Sequence, residues 1–395
     1  MLKKNSIDYL DSLIRLMQML LVILVLAFII TSCVDSYWPK VDKYEGLLVV
    51  DGLLTNGNDT ITVKLSSTSS INDIEYIPVS GGEVYITDEN KRETPLTETK
   101  PGTYIVPDNS FSGQIGSLYQ LHINLPNGKT YVSDTCRLLP PSPIDSVYGI
   151  VESFEVANDI RGLHGIQFYV DFHNDQPDKY NLLWRLSGTY KYEATMDIDY
   201  TYEGSFIPYP DPDSLRTCWR TTQINDIFIF TNKYLEGSAV TRFPLAFISS
   251  KTKTLSIRYS LLVNQLTVSE EAFDFWNSLK EQNIDQGNLY TQQPIQIKGN
   301  MHNLENSDEP VLGYFTVAGI SKKRIYVNRP PVPFFYNLCT PDFDLRFIAF
   351  TPESSWPIYI DDIMFLGYAM GPANDCFDCR LDGGSLERPQ FWEDY

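Results

Sequence analysis

The chain has 395 residues, with 31 Lys and Arg against 50 Asp and Glu, a formal net charge of −19. So acidic a surface argues against nucleic acid as a partner and against electrostatic docking on anionic lipid. Aromatic residues make up 13% of it, and Tyr, with 25 copies, suits half-buried strand faces and binding surfaces because its ring is apolar and its hydroxyl stays wet.

In chain order, the first feature is Met19 to Ile30, an unbroken apolar run behind Lys3, Lys4 and Arg15. A spanning helix needs about 20 apolar residues, so this run is too short to cross a membrane. A charged start, a short apolar middle and small residues at its end make residues 1–32 a secretory signal peptide. Its ending, Ile30-Thr31-Ser32-Cys33, resembles the lipobox of bacterial lipoproteins, which implies that Cys33 is lipidated and begins the mature chain. The competing reading is an uncleaved anchor with Cys33 a bystander. Cleavage leaves 363 residues carrying 28 Lys and Arg against 48 Asp and Glu, enough chain for two domains.

Residues 33–43 form a lipidated, polar tether. From 44 to 138 the pattern predicts an immunoglobulin-like β-sandwich. Leu47 to Leu54 and Thr60 to Ser66 flank an Asn56-Gly57 turn, while Leu118 to Leu125 and Thr130 to Leu138 flank Pro126-Asn127-Gly128-Lys129. Residues 139–143, Leu-Pro-Pro-Ser-Pro, predict a stiff hinge. A larger β-rich domain, 144–395, follows, so the fold class is mainly β. In it, His164 to Phe172 and Tyr180 to Leu186 are expected to pair, as are Val311 to Val317 and Arg324 to Val327. Alternation from Thr254 to Val263 predicts a half-buried strand. One amphipathic helix interrupts the strands, with Thr267 and Glu270 as its capping box and Ala272, Phe275, Trp276 and Leu279 on one face.

The stretch from Ser187 to Thr222 concentrates Tyr190, Tyr192, Tyr200, Tyr202, Phe206 and Tyr209. Such rings serve either as a ligand or partner surface or as packing for their own sheet. Of the cysteines, Cys136 reads as a small buried hydrophobe. Cys218, Cys339, Cys376 and Cys379 are disulfide candidates in three possible pairings, expected to pin a C-terminal segment whose Phe391 and Trp392 pack on the domain. No catalytic motif is present: neither a Gly-x-Ser-x-Gly elbow nor a His-Glu-x-x-His. His122 reads as a strand residue and His302 has no motif around it. His164 and His173 stand nine apart on one strand, about 30 Å, too far to share a metal. Asp171, Asn174, Asp175 and Asp178, and Asp211 with Asp213, have calcium-type oxygens, but solvated turns explain them as well. The expectation is no catalytic residue, no metal and no cofactor.

Several segments together resemble the Bacteroidota outer-membrane lipoprotein family catalogued as domain of unknown function 4249. They are the lipobox, Gly46-Leu-Leu-Val-Val-Asp-Gly-Leu-Leu-Thr55, Pro140 to Ser146, Gly299-Asn300, Val311-Leu-Gly-Tyr-Phe315, Lys323-Arg324-Ile325 and Cys376 to Trp392. Genes of that family commonly neighbour a TonB-dependent transporter. The resemblance therefore implies a lipid-anchored outer-membrane protein, its face undetermined, that serves as a non-catalytic accessory of uptake and binds a ligand or the transporter. A structural or adhesive surface protein, and an unrecognised hydrolase, are the rival readings.

Overall fold

The computed structural model of the protein describes Met19 and residues 46–57, 60–69, 75–107, 111–156, 159–173, 179–233, 239–285, 297–336 and 338–394. Cys33 and the tether lie outside the described residues. Gly46–Tyr395 forms one compact unit.

Nine strands open it: β1 (Leu48–Thr55), β2 (Thr62–Ser67), β3 (Ile77–Pro78), β4 (Glu83–Asp88), β5 (Glu93–Lys100), β6 (Thr103–Ile105), β7 (Leu118–Asn124), β8 (Thr130–Ser133) and β9 (Cys136–Arg137). Their inward residues alternate as the period of a strand dictates: Val63 and Leu65 on β2, Tyr119, Leu121 and Ile123 on β7. The β7–β8 hairpin turns where expected. Gly128 takes φ +86°, and the Leu125 N–H donates to the Lys129 carbonyl at 2.9 Å.

Next come β10 (Ile144–Val156), β11 (Asp159–His173), β12 (Asn181–Glu193), β13 (Tyr200–Tyr202), β14 (Phe206–Pro208), β15 (Thr217–Thr231), β16 (Ala239–Ser249) and β17 (Arg258–Val268). The helix α1 (Glu270–Asp285), β18 (Met301–Asn303), β19 (Leu312–Asn328), β20 (Ile358–Ile363) and β21 (Gly367–Met370) follow, with short 3-10 helices between and after them among the described residues. The protein is mainly β, with a first sandwich and a larger β-rich remainder carrying the amphipathic helix.

Three features differ from the sequence expectation. First, β11 and β12 are not partners. β11 pairs with β10 and β16, and β12 with β15 and β17, so the two strands lie in different sheets. Those sheets face each other across Phe168, Phe172, Trp184, Tyr259 and Leu261. The other face of β12 and β17 packs on α1 through Leu183, Leu266, Ala272 and Phe275. Strands covered on both faces carry near-continuous apolar runs, which hide who pairs with whom.

Second, Leu312 to Asn328 is a single 17-residue strand, not a hairpin. Its first half runs parallel to β1 and its second half antiparallel to β17. Gly313 at φ +83° lies against the Val50 carbonyl, where a Cβ would sit 2.0 Å away, so this crossing requires glycine. Met301, Val311, Phe315 and Val317 thereby enter the core of the first sandwich. Residues 139–143 are fastened at the same place. The Ser142 N–H donates to Thr267 Oγ1 at 2.9 Å, and the buried Gln265 donates from Nε2 to the Ser142 carbonyl at 2.9 Å.

Third, Thr267 lies within β17, which runs on to Val268, and does not cap the helix. Ser269 does, its Oγ accepting from the Ala272 N–H at 3.3 Å.

Candidate functional site

The tyrosine-rich stretch is mostly strand. Its first part belongs to β12, where Tyr192 is 1% exposed and donates its hydroxyl to the Cys379 carbonyl at 2.5 Å. Tyr190 stands beside it, half-buried, at 5.5 Å between ring centres. These two rings belong to the packing. The rest forms part of a separate four-stranded sheet, ordered β14-β13-β20-β21. Tyr202 is 8% exposed and packs with Ile348 and Ile360, and Tyr209 lies against Tyr359. Tyr200 and Phe206 are different: both turn their rings to Tyr368, at 5.4 and 6.0 Å.

From Tyr368 the apolar surface continues two residues on to the β20–β21 tip. Phe365 there is 98% exposed, Met364 76% and Leu366 69%. The Leu366 N–H donates to the Ile363 carbonyl at 2.8 Å, closing the turn, and Phe365 takes φ +67°. A bulky residue rarely adopts that backbone, and strain of this kind collects at functional positions. Phe206 and Tyr368 are exposed next to it, and Ile207 and Phe350, the latter on the 3-10 helix Leu345–Phe350, are exposed as well. The tip escaped the sequence reading because Ile363-Met-Phe-Leu has the composition of a buried strand; only its position between Asp361-Asp362 and Gly367 hints at a turn.

The lobe beneath has small cores: Met196, Ile198, Leu215, Ala369 and Phe377 in one, Tyr202, Ile348 and Ile360 in another. Cores this small need covalent help. Two disulfides supply it, Cys339–Cys376 and Cys218–Cys379, each with Cα atoms 5.7 Å apart. The end of the chain packs on as expected. Trp392 is buried against Trp219 and Tyr326, and Arg324 stacks on Phe391 at 3.6 Å. Cys136 stays a thiol, pushed up to about 11 by burial and hence inert.

The surroundings are acidic: residues 195–216 and 338–376 hold eleven Asp and Glu against two Arg. Burial raises the Asp361 carboxyl above its ordinary range; the Asp197 N–H opposes this, and the Asp197 and Asp199 carboxylates add to it. The neighbouring acids serve the strands, Asp361 accepting from the Asp197 N–H at 3.2 Å and Asp199 from the Asp362 N–H at 2.7 Å. Arg216 pairs with Asp197 at 2.6 Å.

The remaining candidates are dispersed. His122 hydrogen-bonds Thr87, His164 bonds Ser153, His173 meets Asp145 and His302 meets Asp134. Asp171 accepts from Ser146, Tyr148 and the Arg242 N–H, while Asn174, Asp175 and Asp178 lie outside the described residues. The Asp211 and Asp213 carbonyls close turns to Ser214 and Arg216. Among the described residues no three His, Cys, Asp or Glu side chains are grouped to hold a metal, and no described helix is long and apolar enough to cross a membrane.

A comparison with curated proteins finds no relative of the chain. A family model does match, over residues 34–324, a span that includes β1 to β18 and most of β19 and stops short of β20, β21 and the exposed tip. With well over half its length matched, the chain belongs to the family described as Domain of unknown function (DUF4249).

Proposed function

We propose that the protein is a lipid-anchored, non-catalytic accessory of a TonB-dependent uptake system, holding its outer-membrane transporter through the apolar tip of the disulfide-braced lobe. The observation that carries this is the run Met364-Phe365-Leu366, exposed at the end of the β20–β21 hairpin and continued by Tyr368 and Phe206. An exposed apolar patch rimmed by polar residues is the usual mark of a protein or membrane contact. The acidic rim disfavours an anionic bilayer and favours a protein whose apolar pocket has basic edges. The lipobox-like Ile30 to Cys33 supports the anchor, and the gene neighbourhood typical of the resembled family supports the transporter.

The test is recovery of a barrel transporter with the full chain from solubilised outer membranes. A Phe365→Asp, Leu366→Asp variant should lose about thirtyfold in transporter affinity, since an interface anchor is worth about 2 kcal/mol or more. Its melting temperature should hold, because exposed substitutions move stability by about 0.5 kcal/mol or less. Undiminished recovery by the variant, or a variant that instead loses binding to protein-free vesicles, removes the docking claim. Cys33→Ala should abolish labelling by a fatty-acid probe and release the protein from the membrane fraction; unchanged labelling would refute the anchor.

A further inference from the structure

The large sheet runs β15-β12-β17-β19-β1-β2 along its first six strands. Strands β15 and β2 stand at opposite ends of that run, yet both line one trough with β1, β12 and α1, so the sheet is curled around it. The trough has a volume of about 490 Å³, within the range of small-molecule sites. It shares none of its lining residues with the exposed tip or the four-stranded sheet and goes beyond the docking reading.

Three features set its chemistry. The first is a bulge. Between Trp184 and Leu186, β12 offers only Arg185, whereas β15 offers Asn225, Asp226 and Ile227 between the partners Ile224 and Phe228. Bulges of this kind re-aim side chains and gather next to sites. Here Asn225 and Asp226 are both exposed and both line the trough. The second is a braced guanidinium. Arg185 Nη2 lies 3.0 Å from Asp51 Oδ1, and the group stands 5.5 Å from the Trp276 ring, so its remaining donors are held in place before any ligand arrives. The third is charge balance. Asp51 and Asp226 are matched by Arg185 and Lys64, on a chain whose net charge is −19. Between these polar walls Leu53, Leu183 and Ile227, with Trp276, present apolar surface.

An ion of either sign would lie beside a like charge as well as an opposite one, so the trough favours neither an anion nor a cation. A purely apolar one would strip water from carboxylate, guanidinium and amide without replacing their hydrogen bonds. What fits is neutral, dense in hydroxyls and apolar on its C–H faces. We infer that the trough binds a neutral carbohydrate, with Asn225, Asp226 and Arg185 bonding its hydroxyls and Trp276 bordering its ring.

The test is titration calorimetry on the full chain in an amine-oxide detergent, which carries no sugar. The probes are maltotriose, cellotriose, mannotriose, xylotriose and N-acetylchitotriose, with trialanine as the peptide control. At least one trisaccharide should bind saturably, and Asp226→Ala should weaken it by about tenfold, the effect of one hydrogen bond to a charged group. The Asp226→Ala variant should keep the wild-type melting temperature. The Phe365→Asp, Leu366→Asp variant should bind the sugar normally, which separates this site from the docking surface. The assignment is overturned if no trisaccharide binds, if only trialanine binds, or if Asp226→Ala leaves sugar affinity unchanged.

Discussion

Asp361 has the clearest electrostatic cost in the lobe. Half-buried on β20, it is held above its ordinary pKa by burial, with the Asp197 and Asp199 carboxylates adding to the effect. A carboxyl whose folded pKa exceeds its unfolded value binds its proton more tightly when folded. Its support for the fold is therefore complete below the unfolded pKa and is lost as pH rises through the folded one. Asp361→Asn should then melt higher than wild type at neutral pH, because the amide oxygen can still accept from the Asp197 N–H. That advantage should shrink as pH falls through the carboxylate range. Thermal melts of both proteins across that range decide it: a gap that does not change with pH would mean the charge is not the cause. Residue by residue, the sequence was informative where one side chain has one strong preference. It placed Ala272 and Phe275 on the buried face of α1 and expected two bridges among Cys218, Cys339, Cys376 and Cys379. It could not tell which tyrosines face outward. Tyr192 and Tyr200 both sit among alternating aromatic and polar residues, and what buries Tyr192 is its packing on Ala194 and the Cys218–Cys379 bridge.

Elements were legible when their signal was local. The β7–β8 hairpin follows from alternation and turn chemistry, whereas the half-buried strand expected from Thr254 to Val263 starts only at Arg258, behind the 3-10 turn Lys253–Leu255, and is buried on both faces. Pairing was not legible, since it joins segments far apart in the chain. Thus β11 was matched to its sequence neighbour, and Val311 to Val317 was paired with Arg324 to Val327, although both belong to the single strand β19. Within the lobe, the Cys339–Cys376 bridge closes the segment that carries β20, β21 and the exposed tip. On the chain-entropy account a loop of that length is stabilised by about 4 kcal/mol. The Cys339→Ser, Cys376→Ser variant should therefore let this segment open while the sandwiches stay closed. Hydrogen exchange should quicken in residues 342–370 and hardly change in β1 to β9, with transporter recovery falling in parallel. Uniform quickening across the chain would show that the bridge holds the whole unit together.

At the scale of the molecule, the first sandwich is incomplete without β18 and β19. Met301, Val311, Phe315 and Val317 sit among Leu48, Val50, Val63 and Tyr131, and Asn300 donates to the Phe315 carbonyl at 3.0 Å. A fragment of residues 44–138 should expose the apolar surface those residues cover and lose the ladder along β1. Its amide spectrum should be poorly dispersed; sharp, dispersed resonances would show that the sandwich closes by itself. Composition and strand period made the mainly β class legible, but nothing local announces that a strand near residue 315 belongs beside residue 52.

The Ile320 N–H donates to Asn56 Oδ1 across 264 positions of chain. Contacts so distant in sequence form late, because closing the intervening loop costs entropy before any contact repays it. Synthesis delivers the chain in order from its first residue. Whatever else happens meanwhile, β1 must wait with one edge bare until some 260 further residues have been made, on the order of tens of seconds at ordinary elongation rates. A protein built this way is slow to commit to its fold. That delay places the greatest need for a chaperone in the interval before β19 arrives.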